Sequence, residues 1–280
     1  MVVDDPLIRS WHDDLTAVLG PEDPRAADVR LGVFYTAVRL TTGEVGVAFT
    51  PRDLADTVCC PRSAAAGPPA GRLAGASAWD LASYAHSRTP LRRSVGVAAL
   101  NALSARAMDL HGTPGGRLLP DADALDAAGV LPDETVAMVG AFTPFIKALK
   151  NTARELWVVD KHPGALREDE MPLWRSPAEA VSTLAQADVV LITGSALVEG
   201  GLGALLDAAA NARCVVLAGP TASPWPPTFF SRGVDILGGV RITDGEQALR
   251  LVGEGASGYV LFSRVGQKIC VVREGSHAAR

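Results

Sequence analysis

The residues best suited to chemistry sit in four short loops, each directly after an apolar run: Gly140-Ala-Phe-Thr-Pro144, Asp160-Lys-His-Pro163, Thr193-Gly-Ser-Ala-Leu-Val-Glu199 and Gly219-Pro-Thr-Ala-Ser223. In the third, Gly194 lies between two hydroxyl residues ahead of a helical pattern, so Thr193, Gly194 and Ser195 offer donors to a carboxylate, phosphate or sulfate. A helix dipole contributes about 0.3 to 1 kcal/mol to such a contact, ~2 when partly buried. Micromolar affinity needs about 8 kcal/mol. Further groups must therefore help, and Lys147, Lys161 and Arg175 are candidates by sequence neighbourhood. The competing reading is that Ser195 simply caps the helix.

Asp160, His162 and Glu199 bring imidazole and carboxylates to the same set of loops, a combination suited to a transition metal or to proton transfer. The loop from Gly140 through Phe142 and Thr143 stands where a nucleotide cofactor would be held. Asp160, twenty residues past Gly140, has the spacing of a ribose-binding acid. The second and third glycines of the dinucleotide fingerprint are, however, replaced by Phe142 and Phe145, whose rings obstruct a pyrophosphate. A nicotinamide dinucleotide is thereby disfavoured. S-adenosylmethionine, which has no pyrophosphate, fits better with Asp160 on its ribose; the alternative is that Asp160 caps a strand end. Tyr35 and Glu44 are placed to face a cleft, with Trp79 and Tyr84 as its cover or as core aromatics.

Cys59-Cys60 reads either as a reactive or metal-binding pair or as one buried and one incidental thiol, and Cys214 and Cys270 read as core. No C-x-x-C spacing supports a zinc knuckle. The G-x-S-x-G elbow, the Walker loop, H-E-x-x-H and the aromatic-basic RNA motif are all missing, so hydrolase, kinase and zinc-protease readings lose their usual support.

The elements that must position these residues fall into two groups. Leu7, Ile8, Trp11, Leu15, Val18 and Leu19 have helical spacing, ended by Gly20-Pro21. Val29 to Leu40 and Glu44 to Thr50, joined at Thr42-Gly43, predict a β-hairpin. Pro61 to Gly75 predicts a loop or lid, Ser77-Ala-Trp-Asp80 a helix start, and Pro90 to about Leu110 a helix rich in small residues.

Beyond residue 112 the pattern changes. Thr135–Gly140, Leu156–Asp160, Val189–Thr193 and Val215–Gly219 are short apolar runs alternating with the helix candidates Pro144–Asn151, Pro177–Ala187 and Val198–Ala210. That alternation predicts a parallel, doubly wound sheet covered on both faces. Gly233–Ile242 adds a strand and Gln247–Gly253 a helix. Tyr259–Arg264 and Lys268–Arg273 predict a closing hairpin. The fold class is α/β, with an α+β domain over 1–112 and a parallel-sheet domain over 113–280.

The chain has 280 residues, a formal charge of −5 and 48% apolar content, which excludes a basic nucleic-acid binder and a disordered chain. No apolar run approaches the ~18 residues of a membrane span. The acidic start, Met1 to Asp14, lacks the order of a secretion signal, so the expected location is cytoplasmic, away from nucleic acid and membrane. The small-residue helix and Trp225, Phe229 and Phe230 belong either to the core or to a homo- or hetero-oligomer interface.

Five segments together carry a resemblance: Gly32-Val-Phe-Tyr-Thr-Ala-Val38, Arg93-Ser-Val-Gly-Val-Ala-Ala-Leu-Asn-Ala-Leu103, Val139-Gly-Ala-Phe-Thr-Pro144, Asp188-Val-Val-Leu-Ile-Thr-Gly-Ser-Ala-Leu-Val198 and Val216-Leu-Ala-Gly-Pro220. In these the chain resembles the bacterial and archaeal proteins of unknown function described by heavy-metal chelation. The resemblance implies an enolase-N-terminal-like domain followed by a Rossmann-like domain, with a site in the cleft between them. Where the family usually has an asparagine and, two residues on, a threonine, this chain has Glu199 and Gly201. A carboxylate there repels an anion or attracts an amine.

The expectation is a small anionic, amino-acid-like metabolite in that cleft, its acid group on Thr193, Gly194 and Ser195, with Asp160 and Glu199 on an amine, ribose or metal. An enzymatic version makes Glu199 or Asp160, with Tyr35 at the cleft, the catalytic groups of a non-redox elimination or cyclisation in which sulfate or phosphate leaves. The rivals are a metal or metallophore binding protein, with His162, Asp160 and Glu199 as metal candidates, and an S-adenosylmethionine-dependent enzyme.

Overall fold

A computed structural model describes residues 5–52 and 67–276. The Asp5 carboxylate accepts from the Leu7 and Ile8 amides at 3.1 and 3.4 Å and starts α1 (Pro6–Leu19), which turns Leu7, Ile8, Trp11, Leu15 and Leu19 inward. Three antiparallel strands follow, β1 (Ala26–Leu31), β2 (Tyr35–Leu40) and β3 (Val45–Phe49), in that order across the sheet. The expected hairpin is thus a three-stranded meander. Its extra bend falls at Gly32, whose amide donates to the Tyr35 carbonyl at 2.9 Å, and where a β-carbon would lie 2.2 Å from the Val252 carbonyl oxygen.

Ser77 Oγ accepts from the Trp79 and Asp80 amides and caps α2 (Ala78–Ser83); α3 (Pro90–His111) then crosses the meander. Its small residues serve contacts inside the chain. A β-carbon on Gly96 would come within 1.9 Å of the Ala85 nitrogen, and one on Gly46 of β3 within 2.0 Å of the Ala98 carbonyl oxygen. Trp225, Phe229 and Phe230 are likewise buried, with Phe229 edge-on to Trp11 at 5.4 Å between ring centres. Of Pro61–Gly75, read as a loop, residues 67–75 are turns and bends as expected, while residues 61–66 lie outside the described residues, as do Cys59 and Cys60.

The second sheet has eight strands: β4 (Gly116–Pro120), β5 (Thr135–Val139), β6 (Glu155–Val159), β7 (Trp174–Arg175), β8 (Val189–Thr193), β9 (Cys214–Ala218), β10 (Ile236–Ile242) and β11 (Gly266–Arg273). Their spatial order is β4-β11-β10-β9-β8-β5-β6-β7. From β10 to β7 every pairing is parallel, while β11 runs antiparallel to both β10 and β4. The chain leaves β5 toward β6 and β7, then returns to β8 on the other side. The carboxyl ends of β5 and β8 therefore border a topological switch point, where open α/β sheets bind ligands.

Alternate strand residues feed opposite faces. Val136, Met138, Val189 and Leu191 meet α4 (Ala124–Ala128) and α5 (Thr143–Leu149). Ala137, Val190 and Ile192 meet α6 (Ala180–Leu184), α7 (Ala196–Glu199), α8 (Leu202–Ala208), α9 (Pro226–Phe230) and the first unit. The single helix expected over Val198–Ala210 is interrupted at Gly200 and Gly201, both with positive φ.

The last helices, α10 (Gly245–Gly253) and α11 (Gly258–Val265), return to the first unit. Ala248, Leu249, Leu251, Val252, Leu261 and Val265 pack on Ala37, Val45 and Val47 of the meander. Tyr259–Arg264, expected as a hairpin strand, is helical because Leu261 and Val265, four apart, are both fully buried while Tyr259 and Val260 face solvent. Among the described residues no helix is long and apolar enough to cross a membrane.

Glu134, ahead of β5, receives Arg213 Nε at 2.5 Å, Arg213 Nη2 at 2.8 Å and the Leu131 amide at 2.8 Å. Burial pushes its carboxyl up, but the guanidinium and the amide outweigh burial and hold it below its ordinary value of 4.5. A depressed folded pKa gives stability that is complete above the unfolded value and is lost as pH falls through the folded one. The urea midpoint of the native chain should therefore drop below about pH 4.5 more steeply than that of Glu134→Gln. Parallel acid profiles of the two proteins would refute this contribution.

Candidate functional site

At the switch point the loops after β5, β8 and β9 converge beneath the near ends of β2 and β3 and beside α11. They enclose a cleft of about 740 Å³. Five of the seven phenylalanines and two of the three tyrosines line it. Among the described residues, the only charged ones that line it, Asp123 and Lys268, form an ion pair at 2.8 Å.

The loop after β5 begins at Gly140, with φ +89°, where a β-carbon would stand 2.9 Å from Thr193 Cγ2. Its glycine keeps the β5 and β8 loops close. The turn then carries Phe142 and Phe145 onto the cleft wall, stacked at 5.2 Å with 24° between their planes, and Thr143 beside them. Gly140→Ala should destabilise the chain by about 1 to 3 kcal/mol through the left-handed backbone and displace Thr193. Urea unfolding measures the loss, and an unchanged midpoint would contradict it.

In the loop after β8, the Thr193 and Ser195 hydroxyls lie 3.2 Å apart, and the Ser195 amide points to Thr193 Oγ1 at 3.3 Å. The Gly194 amide, expected to face an anion, instead donates to the Ala218 carbonyl at 2.7 Å and continues the β8–β9 pairing. The following helix α7 has only four residues. What this loop offers the cleft is hydroxyl groups rather than a fan of free amides.

The loop after β9 is tied to the first unit. Thr221 Oγ1 accepts from the Phe49 amide at 2.9 Å. Asn101, on α3 and 2% exposed, donates its amide hydrogens to the carbonyls of Val47 and Thr221, each at 2.9 Å. Ser94 Oγ holds the Phe49 carbonyl at 2.7 Å. Asn101 was not foreseen, although a lone amide inside the alanine-rich stretch from Val95 to Ala107 was a visible signal.

Tyr35 lines the cleft, its ring edge-on to Phe262 at 5.0 Å, and burial raises its hydroxyl pKa, so the neutral phenol is a hydrogen-bond donor and not a base. Glu44 is elsewhere, in a separate hollow of about 390 Å³, paired with Arg106 at 3.3 Å. Trp79 donates to the Glu22 carbonyl and Tyr84 lies under Arg92; neither lines the cleft.

Asp160, His162 and Glu199 do not line it either. Asp160 Oδ2 accepts from the Ala141 amide at 2.9 Å and Oδ1 from the His162 amide at 2.8 Å, so the carboxylate fastens the β5 and β6 loops together. Glu199 is paired with Lys161 at 2.6 Å, and the His162 side chain is exposed. Among the described residues no three His, Cys, Asp or Glu side chains gather to hold an ion. Cys214 and Cys270 are buried, and burial pushes their thiols up to about 12 and about 11, away from the thiolate that binds metal.

Residues 123–271 match a family profile described as "Putative heavy-metal chelation", and residues 13–104 match a second profile with the same description. An uncharacterized protein of Methanocaldococcus jannaschii is 28% identical over 194 residues, 68% of this chain and 69% of that protein. A DUF364-family protein of unknown function from Pyrococcus horikoshii superposes with a TM-score of 0.75 at 22% identity, covering 95% of this chain and 99% of that one. Another, from Desulfitobacterium hafniense, gives 0.73 at 21%, covering 97% and 100%. These superpositions establish a shared fold. With the first profile alone spanning more than half of its length, the chain belongs to the DUF364 family, described as "Putative heavy-metal chelation" and of unknown function.

Proposed function

We propose that the protein binds a small organic molecule in the cleft between its two units, with the polar end of the ligand on the Thr193 and Ser195 hydroxyls. The observation that carries this reading is the place of the hollow. A space of about 740 Å³, within the range of small-molecule sites, lies where the parallel strands end and their order reverses. The order β7-β6-β5-β8-β9-β10 supports a Rossmann-like reading of the second unit.

Binding is better supported than catalysis by proton abstraction. Glu199 and Asp160 are engaged elsewhere, and Tyr35 is held neutral. The same engagement of Asp160 removes the ribose partner on which S-adenosylmethionine depended, and Phe142 and Phe145 occupy the path of a pyrophosphate. An anionic amino-acid-like ligand meets no uncompensated cation among the described residues of the cleft lining.

The described residues do not fit direct coordination of a heavy metal. The family description is accommodated by a metal that enters already wrapped in an organic chelator, the chelator filling the cleft. Two measurements test this. Titration of the purified chain with nickel, copper or zinc alone should give no tight stoichiometric binding; a one-to-one site would overturn the chelator reading. In a fragment screen followed by NMR, shifts should cluster at residues 140–145, 193–195 and 219–221. Clustering elsewhere would overturn the cleft as the binding site.

A further inference from the structure

We infer that the ligand of this cleft is a planar aromatic molecule without net charge, bearing an oxygen or nitrogen substituent for the Thr193 and Ser195 hydroxyls. The inference rests on the cleft being the binding site and goes on to name the chemical class.

Apolar lining alone does not call for rings, and this chain builds its other interior largely from Ala, Val and Leu. Yet the cleft gathers the Phe142–Phe145 stack from the β5 loop, the Tyr35–Phe262 edge-to-face pair from β2 and α11, and Phe34 and Phe49 from the meander. These come from distant parts of the sequence and are brought together only here. Ring faces favour flat π systems over aliphatic ones of equal area. The charge pattern agrees, because the Asp123–Lys268 pair is mutually neutralised and no other described lining residue is charged. An ionised ligand would lose its hydration without gaining a counter-charge.

Calorimetric titration of the full chain with catechol, indole and 8-hydroxyquinoline, beside L-glutamate and citrate, tests the class. The aromatic probes should bind one to one. Phe142→Leu keeps apolar bulk but removes the ring, and should weaken them about 2- to 12-fold with an unchanged circular dichroism spectrum. Phe262→Leu should act similarly. Binding of glutamate or citrate in place of the aromatic probes would overturn the aromatic class while leaving the cleft as a ligand site. Aromatic binding indifferent to both substitutions would overturn recognition by these rings. Silence from every probe would count against the cleft reading as well.

Discussion

Asn101→Leu is expected to lower the unfolding free energy by about 2 to 6 kcal/mol. The leucine has nearly the same shape, so the loss comes from hydrogen bonding. The side-chain amide satisfies the carbonyls of Val47 and Thr221, and each carbonyl left buried without a donor costs about 1 to 3 kcal/mol. A small gain offsets part of this, because Asn101 Oδ1 is itself buried without a partner and disappears in the variant. The effect should reach the cleft, since Val47 belongs to β3 and Thr221 to the loop after β9. Chemical denaturation gives the stability, and the spread of amide shifts at residues 49, 219 and 221 reports the junction. A variant within about 0.5 kcal/mol of the native chain would show that the clamp contributes little.

Trp11→Ala should cost about 3 to 5 kcal/mol, the range for truncating a fully buried aromatic side chain. Trp11 has no exposed surface; its ring meets Phe229 edge-on, and its Nε1 donates to Ser104 Oγ at 3.0 Å on α3. One side chain thus joins α1 to α3 and to α9. Trp11→Phe retains much of the ring contact and loses the donor, so its cost should be clearly smaller. Far-UV dichroism is the suitable probe because the substitution removes a fluorophore. Equal losses for the two variants would mean that the hydrogen bond, rather than the packing, dominates.

Much of the architecture was legible for a physical reason. Strands β5, β6, β8 and β9 are covered on both faces, so each is a compact apolar run, and helical patterns separate them. The first strand of the meander merged with the second in the run from Val29 to Leu40, because the bend at Gly32 that parts them breaks no apolar rhythm. The room it needs against the Val252 carbonyl, more than two hundred residues away, is set by tertiary structure. β4 is a half-exposed edge strand without an apolar rhythm, and β7 has two residues; neither announces itself. Tyr-Val-Leu-Phe at 259–262 has strand propensity, and only its packing against α10 makes it helical.

The site divides similarly. The loops after β5, β8 and β9, unlike that after β6, line the cleft where the sequence placed them, and Tyr35 lines it too. The partners of the acids could not be read, because Asp160 is satisfied by the amides of Ala141 and His162, and Glu199 by Lys161. Phe142 and Phe145 were legible as an obstacle to pyrophosphate. Their joining with Phe34, Phe49 and Phe262 into one wall depends on tertiary structure.

The return of α10 and α11 to the meander has a consequence for how such a protein can be taken apart. A gene fragment stopping near residue 112 would yield a polypeptide whose Ala37, Val45 and Val47 face is bare, and a fragment beginning there would carry two helices with nothing to grip. The two profile matches are neighbours along the gene, yet residues of both build one hydrophobic cluster. Recombination that swaps one half between relatives must carry residues 245–265 with the amino-terminal half, or bring a partner whose surface already fits them.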